Sequence, residues 1–265
     1  GRITALTVDH GLRDEANLEA QTVKTWMGQH RIEHQTLYWL GKKPKTRIQS
    51  RARAARYRLI DDWCRDHHVL HVVLGHTADD QAETYLMRRC RQSHSDGLAA
   101  MSAIRELNNC RLLRPLLRMR REDLRIFLAR IEQNWFDDPT NLDRHYGRTK
   151  VRNLISSGSY ARDSLCCAAR SYGQKRIFTE QTADRFIASA CRLDPAGYII
   201  IDRLKLRNTK SDIVIRVLGR AIASIGGNWH LPRYPSLAII LDFCVSSNLN
   251  SKTLGGCQIV ASSAE

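Results

Sequence analysis

Val72-Val73-Leu74-Gly75-His76-Thr77-Ala78-Asp79-Asp80-Gln81-Ala82-Glu83-Thr84 is the stretch whose reading decides the fold. The apolar run Leu70–Leu74 stops at Gly75, and a helical pattern carrying Tyr85, Leu86 and Met87 opens a few residues later. Apolar strand, glycine, polar turn and helix describe a parallel-sheet strand delivering its C-terminal end to a site, where open α/β sheets bind their ligands. Asp80 and Glu83 are three residues apart and share a helix face, with Asp79 beside them and His76 on the turn above. Three acids and an imidazole at one strand end suit Mg2+, a substrate ammonium, or both. The spacing equally fits a helix cap with Asp80 at N-cap and Glu83 at N3, and the two readings are compatible.

Upstream, Ile3–Val8 reads as a buried strand ending in Asp9-His10-Gly11-Leu12, followed by a helical pattern from Asp14 to His30 and a strand over His34–Leu40. A long helix, Ile48–His68, carries Arg51, Arg53, Arg56 and Arg58 in its first half; Arg53 and Arg56 share a face, and most of the others read as a solvated basic surface. Strands alternating with helices of this length give an α/β fold, a Rossmann-like, doubly wound parallel sheet with helices on both faces. Downstream, Arg91–Leu98 is polar and turn-rich, hence a mobile loop. The stretch Arg111–Arg130 is dense in arginine, and a helix from about Arg121 to Gln133 keeps Leu124, Phe127, Leu128 and Ile131 on one face, which turns its arginines outward. Asp138-Pro139-Thr140-Asn141 is a turn, and Arg148 and Arg152 then stand at i, i+4, a spacing that suits phosphate or carboxylate binding as well as an exposed pair. From about Ser156 the composition changes to a smaller α-rich domain, with helices over 162–190, 211–225 and 236–249 and β character over 198–206 and 253–260. The expected domains are residues 1–155 and 156–265.

A net charge of +15 spread along the whole chain favours a polyanionic partner, nucleic acid first and an anionic membrane surface second. The eight cysteines include no Cys-x-x-Cys and only one close pair, Cys166-Cys167, so neither a metal-ligand set nor a disulfide framework is present and reduced thiols in a cytoplasm fit best. The longest late apolar run, Leu237–Val245, contains Asp242 and is far short of the roughly 20 residues a membrane span needs.

Read together, these segments resemble the tRNA(Ile)-lysidine synthetase family. The matching pieces are Val8-Asp9-His10-Gly11-Leu12-Arg13, Gln49 with Ala52-Arg53 and Arg56-Tyr57, and His76 with Asp79-Asp80-Gln81-Ala82-Glu83-Thr84. Gly97-Leu98-Ala99-Ala100-Met101, Arg114-Pro115-Leu116-Leu117, Trp135 with Asp138-Pro139-Thr140-Asn141, and Arg148 with Arg152-Asn153 follow in order. The resemblance covers roughly residues 3–155. It implies a PP-loop ATP pyrophosphatase that adenylates the position-2 carbonyl oxygen of a wobble cytidine and lets the ε-amine of lysine displace AMP. The implied cofactors are ATP and Mg2+. The implied partners are tRNA(Ile) with a CAU anticodon and free lysine, with no membrane and a homodimer as the candidate assembly. By the same resemblance Asp80, Glu83 and Arg148 are catalytic, Arg152 and Asp79 bind substrate, and Asp9, His10, Arg53, Arg56 and His76 bind ATP, with no residues assigned to a resident metal. A catalytically inactive tRNA-binding remnant and another PP-loop enzyme, such as a tRNA thiolase, are the alternatives.

Two departures shape further expectations. The family's Ser-Gly-Gly-x-Asp-Ser loop, which cradles pyrophosphate on backbone amides, belongs upstream of Val8 and is not in this sequence. The expectation is that the first strand is missing, that residues 1–265 alone do not carry out the ATP step, and that Ile3–Val8 and Leu70–Leu74 either flank a strand-wide gap or pair directly. Gln92-Ser93-His94-Ser95-Asp96 also replaces a glycine-rich segment.

Overall fold

A parallel βαβ unit opens the chain: β1 (Thr4–Asp9), α1 (Glu15–Gln29) and β2 (Glu33–Tyr38). β1 and β2 pair in register from Thr4 opposite Glu33 to Asp9 opposite Tyr38. A computed structural model describes residues 3–13, 15–136, 147–228, 230–246 and 250–261, with the side chains of 147 and 148 left aside. The Asp138–Asn141 turn and the Arg148 side chain of the sequence reading therefore lie outside the described residues. The chain folds as two units, residues 1–93 with 100–169, and residues 94–99 with 170–265.

In the first unit, α2 (Ile48–Asp66) leads into β3 (His71–Val73) and α3 (Ala78–Cys90). A hairpin follows, β4 (Ile104–Glu106) and β5 (Arg111–Leu113), in which β5 lies parallel to β3 and antiparallel to β4. The strand order is β3-β5-β4, a sheet separate from β1-β2. Direct pairing of the first and third strands is thus not what the chain adopts: β1 bonds β2, β3 bonds β5, and among the described residues the opposite edge of each has no strand partner.

One helix serves both sheets. Ile60, Trp63 and Cys64 of α2 form a buried cluster with Cys110 and Leu112, against which Leu6, Val8 and Leu37 pack from one sheet and Val72 and Leu74 from the other. The strands were expected to be apolar and buried on both faces. In β3 only Val72 turns inward, while His71 and Val73 are exposed, because the α2 side is the face that finds a partner. Asp61 of α2 fixes the β4–β5 turn by accepting from Asn109 N at 3.0 Å and Asn109 Nδ2 at 2.9 Å. All eight cysteines are free thiols, and burial, with Cys64 beside it, pushes Cys110 up to about 12.

α5 (Arg121–Arg130) and α6 (Gly147–Ser156) complete this unit with the start of α7 (Arg162–Ala190). The remainder of α7, β6 (Cys191–Leu193), β7 (Ile199–Ile201), α8 (Arg203–Arg207), α9 (Ser211–Ile225), α10 (Tyr234–Val245), β8 (Ser251–Leu254) and β9 (Cys257–Val260) belong to the second. Its core is the apolar face of α9, with Ile213, Val214, Val217, Leu218 and Ile222, closed by Phe186, Leu206, Leu237 and Ile240. Two sequence expectations change here. The β character over 198–206 ends at Ile201, because Asp202 caps α8 by accepting from Lys205 N at 3.0 Å. The strand over 253–260 is a hairpin turning at Gly255-Gly256, both at positive φ, where glycine alone is unstrained. The stretch 91–98, read as a mobile loop, contains the turn α4 (Ser95–Leu98). His94 stacks on Tyr234 with centroids 4.5 Å apart, and Asp96 pairs with Arg216 at 2.5 Å. No helix among the described residues is long and apolar enough to cross a membrane.

Leu112→Ala should cost about 2–5 kcal/mol, because its side chain is fully buried in the cluster that α2 makes with β5. Leu18→Ala, at a side chain 68% exposed, should stay within about 0.5 kcal/mol. Denaturant melts of the two variants check the pair.

Candidate functional site

The candidate residues gather into two groups at the C-terminal ends of the strands. The first lies where β1 and β2 end. Asp9 is buried, and its Oδ1 accepts from Gly11 N at 2.7 Å, closing a tight turn. Gly11 sits at φ +56°, and a Cβ there would lie 3.3 Å from the Lys43 side chain. His10 is held by Arg56, whose Nη2 lies 3.1 Å from Nε2, and by the edge of Trp39 at 6.0 Å. Lys43 stands over the Trp39 ring at 4.7 Å and donates to the Trp39 carbonyl. Arg53 and Arg105 both approach the Tyr57 ring, at 5.1 and 5.4 Å. Arg56, Lys43 and Arg53 make this strand end cationic, as an anionic ligand requires.

Burial, reinforced by Arg56 and Lys43 and opposed by Asp9, lowers His10 below its ordinary value, so the ring is neutral at neutral pH. His34, whose Nε2 is 2.8 Å from Thr7 Oγ1, is lowered by burial and by Lys24.

The second group is built on the first turns of α3. The sequence reading placed Asp80 at N-cap and Glu83 at N3. The structure puts Thr77 at N-cap, in extended conformation, and Asp80 at N3. Asp80 Oδ2 accepts from Thr77 N at 2.8 Å and from Thr77 Oγ1 at 3.0 Å. The helix starts earlier because Thr77 supplies the extended residue that a cap needs. The carboxylate that closes this cap also faces a neighbouring helix: Asp80 Oδ1 lies 3.3 Å from Arg121 Nη2. Asp79 Oδ2 accepts from Arg121 N at 2.7 Å, and its Oδ1 forms an ion pair with Arg162 Nε at 2.9 Å. Glu83 is 2% exposed and accepts from Arg152 Nε of α6 at 2.8 Å. Burial alone would lower Arg152, but the hydrogen bond and charge of Glu83, with Asp80 and Asp79 behind it, raise it. His76 is half-buried in the turn before α3.

Each carboxylate of this trio thus meets a guanidinium, and three separate helices supply them. Arg152 was singled out from sequence; Arg121 and Arg162 were not. Arg121 was read as outward with its neighbours on α5, yet it is the first residue of that helix, where the apolar stripe says nothing about side-chain direction. Lys43 and Trp39 were also missed as site residues: Trp39 was read as part of the strand over His34–Leu40, whereas β2 ends at Tyr38, and Lys43 lies in an irregular stretch. Arg114, counted among the basic residues of its run, is buried and donates to Ser102 O at 2.7 Å. Among the described residues no group of three His, Cys, Asp or Glu side chains converges into a cation site.

Comparison with known proteins adds three findings. A PP-loop domain model matches residues 2–157. The chain is 32% identical over 271 residues to the tRNA(Ile)-lysidine synthase of Orientia tsutsugamushi (strain Boryong), covering 97% of this chain and 60% of that protein. It is 36% identical over 260 residues to the tRNA(Ile)-lysidine synthase of Bradyrhizobium diazoefficiens, covering 94% of this chain and 72% of that protein. The chain therefore spans less than two thirds of the length of the Orientia relative. Among solved structures, the U34-tRNA thiolase NcsA from Methanococcus maripaludis shares the fold, with a TM-score of 0.53 and 15% identity over 65% of this chain and 62% of its own.

Two measurements probe the groups. His10 and His34 have folded values below the unfolded 6.5. The unfolded chain therefore binds protons first on acidification, and stability is full above that value and is lost as pH falls below it. Melting temperature should drop between about pH 7.5 and 5.5, and His10→Asn with His34→Gln should flatten the slope. Arg152→Met, which removes the guanidinium facing a buried carboxylate, should cost about 3 kcal/mol, and adding Glu83→Gln should restore part of the loss in a double-mutant melt.

Proposed function

Because the chain belongs to the tRNA(Ile)-lysidine synthase family of PP-loop proteins, we propose that it serves ATP-dependent ligation of lysine to the wobble cytidine of a minor isoleucine tRNA with a CAU anticodon. The observation that carries this reading is the acid group Asp79, Asp80 and buried Glu83 at the start of α3, set at a strand's C-terminal end in a strongly basic chain.

A cytosine ring carbonyl is a poor electrophile until its oxygen becomes part of a leaving group. Attack of that oxygen on the α-phosphorus of ATP releases pyrophosphate. The lysine amine then attacks carbon 2, AMP departs with the oxygen, and the amine loses a proton. Arg53, Arg56 and Lys43 supply positive charge to the nucleotide beside β1, and neutral His10 offers ring nitrogens for hydrogen bonding. His76, in the turn before α3, is assigned to the nucleotide by the family resemblance. Asp80 and Glu83 receive the lysine, with Arg152 and Arg148 completing that part of the site. Mg2+ accompanies the triphosphate; among the described residues no group of three His, Cys, Asp or Glu side chains forms a cation site of its own. The second, α-rich unit recognises the tRNA, for which the exposed Arg170 and Lys175 on α7 provide phosphate contacts. A cytoplasmic setting accords with the free thiols, and a homodimer is the assembly to test.

In a chain that carries the family's Ser-Gly-Gly-x-Asp-Ser loop ahead of these residues, lysine-dependent release of AMP and labelling of the tRNA with lysine are the expected products, and their absence with ATP, lysine and the CAU tRNA all present would overturn the reading. Glu83→Gln should raise KM for lysine about tenfold or more while shifting that for ATP less than about twofold. Equal shifts would remove Glu83 from the lysine site. tRNA affinity should fall with salt by about 0.9 log units per log unit for each phosphate neutralised. Arg170→Glu with Lys175→Glu should weaken tRNA binding in a filter assay and leave lysine binding unchanged.

A further inference from the structure

We infer that Arg121 is a specificity-determining residue that reads the α-carboxylate of the amino-acid substrate; the inference rests on the lysine-binding role proposed for this site. The acid group at the start of α3 is not a bare anionic pocket. Asp79 meets Arg162, Asp80 meets Arg121 and Glu83 meets Arg152. A charge-balanced cluster has little long-range attraction for a simple cation such as a diamine. It matches a group that itself carries both signs side by side, and the α-ammonium and α-carboxylate of a free amino acid are such a group. Binding that end also leaves the ε-amine, the nucleophile, outside the cluster.

The three guanidiniums are not equivalent. Arg152 is hydrogen-bonded to a nearly fully buried carboxylate and helps to compensate its charge. Arg162 comes no closer than an ion pair, at 2.9 Å from Asp79, and its Nε is buried without a directed hydrogen bond. Arg121 differs. Its side chain is 37% exposed, and among the described residues its only side-chain partner is Asp80, through Nη2 at 3.3 Å. Among the described residues the rest of its donor fork meets no acceptor, and such a fork is shaped for bidentate contact with a carboxylate. Its backbone is meanwhile fixed, because its N–H is the donor that Asp79 accepts at 2.7 Å. Asp79 is thus a positioning residue that holds the first turn of α5 against α3, and Asp80 supplies the adjacent negative charge for an α-ammonium.

The test is calorimetric titration of the 265-residue chain with L-lysine, L-lysinamide and cadaverine. The last two keep the ε-type amine and lack the carboxylate. A charge-assisted contact of this kind should make the unaltered chain prefer lysine over lysinamide by about tenfold to a hundredfold. Arg121→Ala should bring that ratio to within about twofold, and Arg121→Lys should recover part of it. Circular dichroism and melting of each variant establish that it is folded; if Arg121→Ala does not fold, Arg121→Lys and Arg121→Gln must show graded loss of the ratio. A variant that weakens lysine and lysinamide by the same factor would overturn the assignment, because Arg121 would then act only through Asp80. So would a variant with unchanged lysine binding and weakened tRNA binding, which would make Arg121 a phosphate contact. Absence of lysine binding by the unaltered chain would strike the proposed function itself, whereas lysine binding without discrimination overturns the role of Arg121 alone.

Discussion

The buried ion pair between Glu83 and Arg152 is the constraint on which the first unit turns. A carboxylate that is 2% exposed is costly unless compensated, and a guanidinium that compensates it comes from a helix 69 residues further along the chain. That requirement fixes α6 against α3, where Val151, the neighbour of Arg152, is also buried. The site and the packing are thus one construction. Replacing the pair by apolar residues of similar volume would satisfy the interior, but it would remove the anion that the proposed function assigns to a substrate ammonium. The persistence of a charge in so enclosed a place is easier to understand as chemistry than as stability.

Around that pair, the N-terminus of α3 gathers other ends. Asp79 receives the first N–H of α5 and the guanidinium at the start of α7, while Asp80 satisfies Thr77 at the start of its own helix. Helix starts leave unpaired N–H groups and carry partial positive charge, so a cluster of carboxylates is a natural meeting point for several of them. The acids that a reader of the sequence assigns either to a cap or to a ligand serve both ends, with different oxygens: Oδ2 of Asp80 caps, and Oδ1 faces the neighbouring arginine.

Much of the frame was legible because it is periodic. The helices Arg162–Ala190 and Ser211–Ile225 stand at the bounds expected from their apolar stripes, and β1, β2 and β3 fall within a residue or two of the runs that announced them. The hairpin of β4 and β5 was not seen, since three-residue strands are too short to show alternation and Arg111 and Arg114 made the stretch look like surface. Of the residues that gather at the start of α3, Asp80, Glu83 and Arg152 were singled out through spacing and resemblance. Arg121 and Arg162 were not, because what defines them is contact with α3 across 42 and 83 residues of chain, which no local pattern encodes. The split into two small sheets follows from pairing partners, and pairing is likewise non-local.

The short segment 94–99 carries a consequence for modularity. It lies inside the sequence of the first unit but belongs to the second, where Asp96 and Glu180 share Arg216, a guanidinium only 13% exposed. The second unit is therefore not a cassette that begins at one point of the chain and runs to the end. A gene fragment encoding it from residue 170 onward would inherit Arg216 with one of its two acids, and Tyr234 without the ring that stacks on it. The boundary between the units is crossed more than once by the chain, so a single cut in the sequence cannot separate them without removing these contacts from the second.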